Sequence, residues 1–258
     1  MSNGIDGKRV IVTAGGSGIG RAIVDRFVAA GAHVHTCDVQ QEFLDDAIAS
    51  NDRVSGSLAD VGEPKDVENM VAAAVEAMGG VDVLVNNAGI GGPRAALEDI
   101  SYADWDRTIG VNLNGMFYCI KQVVPLMKAQ GSGCIINIST GSTRTGLPGR
   151  LPYVASKEGV NGITGTLARE LGPFNIRCNS ILPGAVEGPR GERVLAAVAE
   201  KKGVSVEEAK AESLRYISMR TTVAPSEIGD TACFLASDAA RHVSGQFIGV
   251  CGNLEWEE

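Results

Sequence analysis

The chain has 258 residues, 44% of them hydrophobic, with 31 acidic against 23 basic side chains and a formal net charge of −8. That length is ample for one large core, and no repeat, low-complexity tract or long linker divides it, so a single domain over residues 1–258 is expected. The acidic balance argues against nucleic acid or an anionic membrane as main partner. No apolar run is long enough to span a bilayer, and the opening residues lack an apolar signal core, which points to a cytoplasmic protein.

The first element in chain order is a short buried strand at Lys8–Val12, followed at once by Thr13-Ala14-Gly15-Gly16-Ser17-Gly18-Ile19-Gly20. Beyond the glycines, Ile19, Ala22, Ile23 and Phe27 recur at helical spacing. Strand, glycine turn and helix together make a phosphate site. Glycines let the main chain approach a pyrophosphate, and the helix start offers unpaired N–H groups at its positive end. Gly15, Ser17, Gly18, Ile19 and Gly20 are the candidate ligands.

A second strand, His33–Cys37, ends at Asp38, twenty residues after Gly18. An acidic side chain there suits a ribose 2′-hydroxyl and repels a 2′-phosphate. No Lys or Arg stands in the turn or just after Asp38. Asp38 thus points to NAD rather than NADP, with mere strand termination as its alternative role. His33 and His35 fall on one side of this strand. No third ligand of suitable spacing accompanies them, so packing is the better reading and no metal is expected.

Leu58-Ala59-Asp60-Val61 reads as a strand end, and Val67, Met70, Val71, Ala74, Val75 and Met78 mark a helix after it. The apolar run Val81–Val85 leads into Asn86-Asn87-Ala88-Gly89, as expected of a strand covered on both faces. A further helix carries Trp105, Ile109, Val111 and Asn112, and the strand Gly133–Ile138 ends in the hydroxyl-rich Ser139-Thr140-Gly141-Ser142. Alternation of this kind calls for a doubly wound α/β fold whose ligand lies beyond the carboxyl ends of the strands.

Tyr153 and Lys157 stand four residues apart in Tyr-Val-Ala-Ser-Lys, which on a helix stacks them on one face. A phenol, with an ordinary pKa of about 10, is a poor base at neutral pH. A neighbouring ammonium favours the phenolate and equips such a group to exchange a proton with an alcohol or carbonyl. Gly159, Gly162 and Gly165 follow on the same helix, each costing roughly 1 kcal/mol relative to alanine. They imply close approach of another backbone, either the sheet beneath or a partner's helix.

Between Pro183 and Pro225 lies a long segment, about residues 185–224, with helical patches near Glu192–Lys201 and Ser205–Arg215. Ser205 with Glu208 three residues on resembles a capping box. Such a segment is placed to close over a substrate and exclude water. Arg94, Arg144, Arg150, Arg190 and Arg193 fall in loops or loop edges around the cleft, as solvated charges, subunit contacts or partners for an anionic substrate group. Trp256, near the chain end, is a candidate for docking on a neighbouring subunit. The six cysteines are scattered, and those on predicted strands, Cys37, Cys134 and Cys178, read as buried thiols.

These residues, from the Thr13–Gly20 turn through Asp60-Val61, Asn86-Asn87-Ala88-Gly89, Asn112 and Tyr153/Lys157 to Pro183-Gly184, resemble the short-chain dehydrogenase/reductase family in its single-domain form. The resemblance covers nearly the whole chain. It implies a Rossmann-type three-layer fold with a seven-stranded parallel sheet, NAD as cofactor, and hydride transfer between a secondary alcohol or its ketone and the nicotinamide. Tyr153 would be the acid/base. Lys157 would promote its ionisation and hold the nicotinamide ribose, while Asn112 would shape its helix and anchor a proton-carrying water. Asp60 and Val61 would border the adenine, and Asn87, Ala88 and Gly89 the adenosine ribose side. The main chain near Val186, after Pro183 and Gly184, would meet the carboxamide. A homotetramer, or failing that a homodimer, is implied as well.

Three positions depart from the family pattern. Ala14 stands at its first glycine. The hydroxyl expected thirteen residues before the tyrosine is Thr140, with Ser142 as second choice and Ser139 as third. Glu187-Gly188 occupies a stretch that often holds threonine. Two rivals stand beside the oxidoreductase reading. One is a non-catalytic NAD sensor. The other is an epimerase or dehydratase, although such enzymes generally carry a further C-terminal domain beyond a last strand like Gln246–Val250.

Overall fold

The computed structural model describes residues 4–254, with the main chain alone at residue 190. Seven strands form one sheet: β1 (Arg9–Thr13), β2 (His33–Asp38), β3 (Val54–Leu58), β4 (Val83–Asn86), β5 (Gly133–Ile138), β6 (Ile176–Pro183) and β7 (Phe247–Val250). Their order is β3-β2-β1-β4-β5-β6-β7, and every pairing is parallel. The helices are α1 (Gly18–Ala29), α2 (Gln41–Ala49), α3 (Pro64–Met78), α4 (Tyr102–Ile109), α5 (Gly115–Gln130), α6 (Ser142–Thr145), α7 (Leu151–Leu171), α8 (Pro189–Lys202), α9 (Val206–Leu214) and α10 (Pro225–Ala236).

Both faces of the sheet are buried, which is why its central strands read as unbroken apolar runs rather than alternating ones. Ile11, Leu84, Ile135 and Cys178 point to one core shared with α3, α5 and α7. Val10, Val12, Val83, Val85 and Ile136 point to the other, shared with α1 and α10. The chain leaves β1 towards β2 and β3, then returns to place β4 on β1's other edge. The carboxyl ends of β1 and β4 therefore flank the switch point where a doubly wound sheet opens a crevice.

Several boundaries differ from the sequence reading. Leu58 closes β3, so Asp60 and Val61 lie in the turn beyond it, and Asp38 is itself the last residue of β2. The helix expected around Asn112 is interrupted: α4 and α5 are joined by a π-helical turn, Gly110–Asn114, that contains Asn112. Single π-turns of this kind are concentrated at functional sites.

A polar row crosses the sheet near its carboxyl edge. Asn86, Asn137 and Ser180 are in register on β4, β5 and β6. Asn86 Nδ2 donates to Asn137 Oδ1 at 2.9 Å, and Asn137 Nδ2 donates to Thr164 Oγ1 on α7 at 2.9 Å. Thr164 also shares a 2.8 Å hydrogen bond with Ser180. The row fixes where α7 sits on the sheet, because a slip would leave buried polar groups unpaired.

All six cysteines are free thiols. Burial pushes Cys37 and Cys178 up to about 12, so they behave as small apolar side chains. Among the described residues no helix is long and apolar enough to cross a membrane.

His33 is exposed while His35 is buried, its ring nitrogens each 2.9 Å from a hydroxyl, of Ser55 and of Ser57. Burial lowers the His35 pKa from 6.5 to about 4, so the folded protein holds it neutral. The unfolded chain then binds the extra proton between those values. Stability is complete above pH 6.5 and declines by about 3 kcal/mol as pH falls towards 4. Urea unfolding of wild type and His35→Gln at pH 7.5 and 4.5 checks this; equal acid losses in the two proteins would show that His35 is not the group responsible.

Candidate active site

The glycine turn is held from both sides of the switch point. Thr13 Oγ1 accepts the main-chain N–H groups of Asn87 and Ala88, each at 3.0 Å. The Asn87 carboxamide donates to the Thr13 and Ala14 carbonyls at 3.0 and 3.1 Å. Asn87 thus braces the turn with its side chain, a role its position in the sequence did not disclose. A Cβ on Gly20 would run into the Ala14 carbonyl oxygen, so only glycine lets the first turn of α1 close on β1. Ser17 and Gly18 lie exposed at the tip, and Gly18 adopts φ +55.

Ala14 has φ +52, the left-handed region that glycine enters without penalty and alanine does not. Its methyl group is therefore not neutral here: the turn keeps its shape against a local strain.

Asp38 is buried at the end of β2, where its Oδ1 accepts the Gln40 N–H at 3.1 Å. Asp60 accepts from the Gly62 N–H and the Arg107 guanidinium, both at 2.8 Å. The Val61 side chain is buried against Gly115.

Around α7 the candidate catalytic groups converge. Lys157 is 4% exposed, and its Nζ donates to the Ile138 carbonyl at the end of β5, at 2.7 Å. Asn112 grips the loop after β4 in both directions: its Oδ1 accepts the Ile90 N–H at 2.7 Å and its Nδ2 donates to the Ile90 carbonyl at 3.0 Å. The same Nδ2 donates to Ser156 Oγ on α7, also at 3.0 Å. A Cβ on Gly89 would stand 3.2 Å from Asn112 Oδ1 and 3.4 Å from Lys157 Nζ, so all three residues meet at one point. Ile90 and Ser156 were not legible as site residues, since their parts are played by the main chain and by a hydroxyl without a motif.

Of the three hydroxyl candidates, Ser139 Oγ donates to the Lys157 carbonyl, which turns it into α7. Thr140 Oγ1 is 3.4 Å from Ser142 Oγ and accepts the Ser142 N–H at 3.3 Å, so these two hydroxyls form one patch. Tyr153, in the first turn of α7, is half-buried.

Beyond β6, the Pro183 carbonyl accepts the Gly141 N–H at 2.9 Å, which ties the hydroxyl-bearing turn to the next strand. Gly184 donates to the Val250 carbonyl at 3.0 Å. Val186 bridges Val223, and Val223 and Glu187 add main-chain hydrogen bonds at 2.9 Å. The Glu187 carboxylate accepts the Thr222 hydroxyl at 2.7 Å. The 185–224 segment thus leaves and returns through a closed neck, with α8, α9 and the Ser205/Glu208 capping box beyond it. Arg144 donates to the Phe247 carbonyl at 3.1 Å and Arg150 to the Gly91 carbonyl at 2.7 Å, while Arg94 and Arg193 are exposed.

The three glycines of α7 differ from one another. A Cβ on Gly159 would press on Leu113 at 2.9 Å, but one on Gly162 would meet nothing. Gly162 and Gly165 line a shallow depression of about 560 Å³ with Asn161 and Phe247. Trp256 lies outside the described residues.

A parallel sheet with a glycine turn at its switch point, an acidic end to β2 and Lys157, Asn112 and Gly89 meeting nearby is the frame of a dinucleotide-binding fold. A family model described as enoyl-(acyl carrier protein) reductase matches residues 13–253. The 3-oxoacyl-(acyl-carrier-protein) reductase FabG of Thermotoga maritima is 36% identical over 97% of this chain and 98% of its own length. D-xylose 1-dehydrogenase of Caulobacter vibrioides is 36% identical over 93% of each. The crystal structure of NAD+-bound xylitol dehydrogenase superposes with a TM-score of 0.91 at 29% identity, covering 96% of this chain and 99% of that one. The chain belongs to the short-chain dehydrogenase/reductase family, and these relatives are reductases or dehydrogenases, one of them crystallised with NAD+.

Because Ala14 adopts a left-handed conformation, Ala14→Gly is expected to raise stability by about 1 kcal/mol. Chemical denaturation measures it, and a lower unfolding midpoint would contradict the strain.

Proposed function

We propose that this protein is an NAD-dependent dehydrogenase/reductase that interconverts a secondary alcohol and its ketone, with Tyr153 as acid/base. The observation that carries this reading is the meeting of Lys157, Asn112 and Gly89 beside the glycine turn, with Tyr153 on the same helix as Lys157. The names of the relatives, a keto-acyl reductase, a xylose dehydrogenase and a xylitol dehydrogenase, support an alcohol or carbonyl substrate.

The glycine cradle fits a dinucleotide. Gly15, Ser17, Gly18, Ile19 and Gly20 would hold its pyrophosphate at the start of α1, and Asp38 its adenosine ribose. Asp60 and Val61 would border the adenine and Asn87, Ala88 and Gly89 the neighbouring ribose, Asn87 through the turn it braces. Pro183, Gly184 and Val186 would face the nicotinamide end, with Tyr153 and Lys157 at its ribose. The bound nicotinamide supplies the hydride acceptor or donor.

The protein then has three tasks. Thr140, backed by Ser142, donates a hydrogen bond to the substrate oxygen and fixes its place. Tyr153 takes the hydroxyl proton during oxidation or returns one during reduction. Lys157 favours the phenolate by its charge. Its hold on Ile138 keeps that charge from drifting towards solvent. Asn112 has its carboxamide committed to Ile90 and Ser156, so it keeps the β4 loop and α7 at a constant separation. A water passing protons onwards would sit against its main chain.

Asp38 supports NAD over NADP, since a buried carboxylate at the end of β2 repels a 2′-phosphate. The open Gly162/Gly165 face of α7 supports assembly, here read as a homotetramer, in the cytoplasm. A sensor would not require the proton-handling cluster, and an epimerase or lyase would form product without net NADH.

Tyr153→Phe should retain dinucleotide affinity and lose turnover by several orders of magnitude in steady-state assays on secondary alcohols. Near-normal rates in that variant would remove Tyr153 as the acid/base. For the cofactor, wild type should show a higher kcat/KM with NAD than with NADP, and Asp38→Ser should narrow that ratio at least tenfold; a wild-type preference for NADP would overturn the NAD assignment alone.

A further inference from the structure

Arg150 precedes the first turn of α7 as its N-cap residue. The guanidinium carbon stands 5.3 Å from the centroid of the Tyr153 ring. Its Nη2 donates to the Gly91 carbonyl at 2.7 Å, in the loop after β4. Gly91 follows Ile90, whose N–H and carbonyl are both held by Asn112. The loop is thus pinned at two successive residues, by Asn112 from the π-helical turn and by Arg150 from the cap of α7. One side chain joins this loop to the ring of the proposed acid/base.

We propose that Arg150 is a positioning residue for Tyr153: it holds the ring against the β4 loop and, by its charge over the ring face, favours the phenolate. The proposal rests on Tyr153 acting as acid/base. A cation above an aromatic ring is attracted by the ring's negative face, and more strongly once the ring carries a negative charge. Arginine suits this because its planar head can stack on a ring and donate in its own plane, whereas a lysine ammonium is a point charge. Tyr153 would then carry positive charge on two sides, Lys157 from the next helical turn and Arg150 over the face.

Charged side chains on neighbouring elements include Arg94, Glu98 and Asp99 in the β4 loop, Arg144 on α6, Lys157 and Glu158 on α7, Glu187 in the neck, and Glu192 and Arg193 on α8. Arg144 is drawn to the Phe247 carbonyl and Glu187 to Thr222, while Glu192, Arg193 and Arg94 are exposed. Among the described residues, Arg150 is the cation that lies over the Tyr153 ring.

The test is the pH dependence of kcat/KM for alcohol oxidation in wild type, Arg150→Met and Arg150→Lys, with Tyr153→Phe as control. Arg150→Met should move the midpoint of the rising limb to higher pH, because the positive charge over the ring face is gone. Its deficit should shrink as pH rises, and dinucleotide Kd should stay within about twofold. Arg150→Lys should keep the wild-type midpoint with a lower kcat, because it restores the charge without the planar fork. If Arg150→Met does not fold, Arg150→Gln, which retains a donor for Gly91, carries the same comparison. An unmoved midpoint in the neutral variants, or a change confined to the KM of an anionic substrate, would overturn the proposal. An active Tyr153→Phe would instead overturn the acid/base reading on which it stands.

Discussion

A buried ammonium at the carboxyl end of β5 organises the site. An isolated charge at 4% exposure would be costly, and Lys157 is retained there by donating to the Ile138 carbonyl. That bond helps set the depth of α7 against the sheet, with Tyr153 one helical turn before Lys157. The polar row Asn86–Asn137–Thr164–Ser180 sets the same helix lower down. Helix α7 is therefore located by polar contacts with directional demands, those of Asn112 to Ser156 and Ser139 to the Lys157 carbonyl among them, where apolar packing alone would tolerate a slide.

The second constraint is the loop after β4. Thr13 and Asn87 couple its beginning to the glycine turn, and Asn112 couples Ile90 to α7. The proposed dinucleotide cradle and the proposed proton-handling cluster are thus parts of one hydrogen-bonded unit. The π-helical turn at Gly110–Asn114 is what directs the Asn112 carboxamide at this loop, and it explains why a regular helical reading of the region misses its shape.

Much of this was legible because the fold imposes strong patterns. Apolar runs such as Val83–Val85 and Ile135–Ile136 are dictated by burial on both faces of a parallel sheet, and the glycine turn by the space its first helical turn leaves. The spacing of Tyr153 and Lys157 follows from helix geometry. What escaped the sequence depends on contacts between residues far apart in the chain. The bracing role of Asn87, the grip of Asn112 on Ile90 and the placement of Arg150 over Tyr153 carry no local signature. Ala14 was recognised as unusual, but the sign of its φ belongs to the turn as a whole. The Gly159/Gly162/Gly165 series looked uniform, yet only Gly159 is crowded from within, by Leu113.

The neck at Val186 and Val223 has a wider meaning. Its closure relies on main-chain hydrogen bonds, to which almost any side chain can be fitted, and the residues it encloses make two helices of their own. Ser218 and Met219 are likewise held to Asn253 and Gly252 through the main chain. Such an appendage can change its side chains through mutation while the seven-stranded platform stays as it is. On such a plan one cassette can be rewritten in evolution without disturbing the scaffold that carries it.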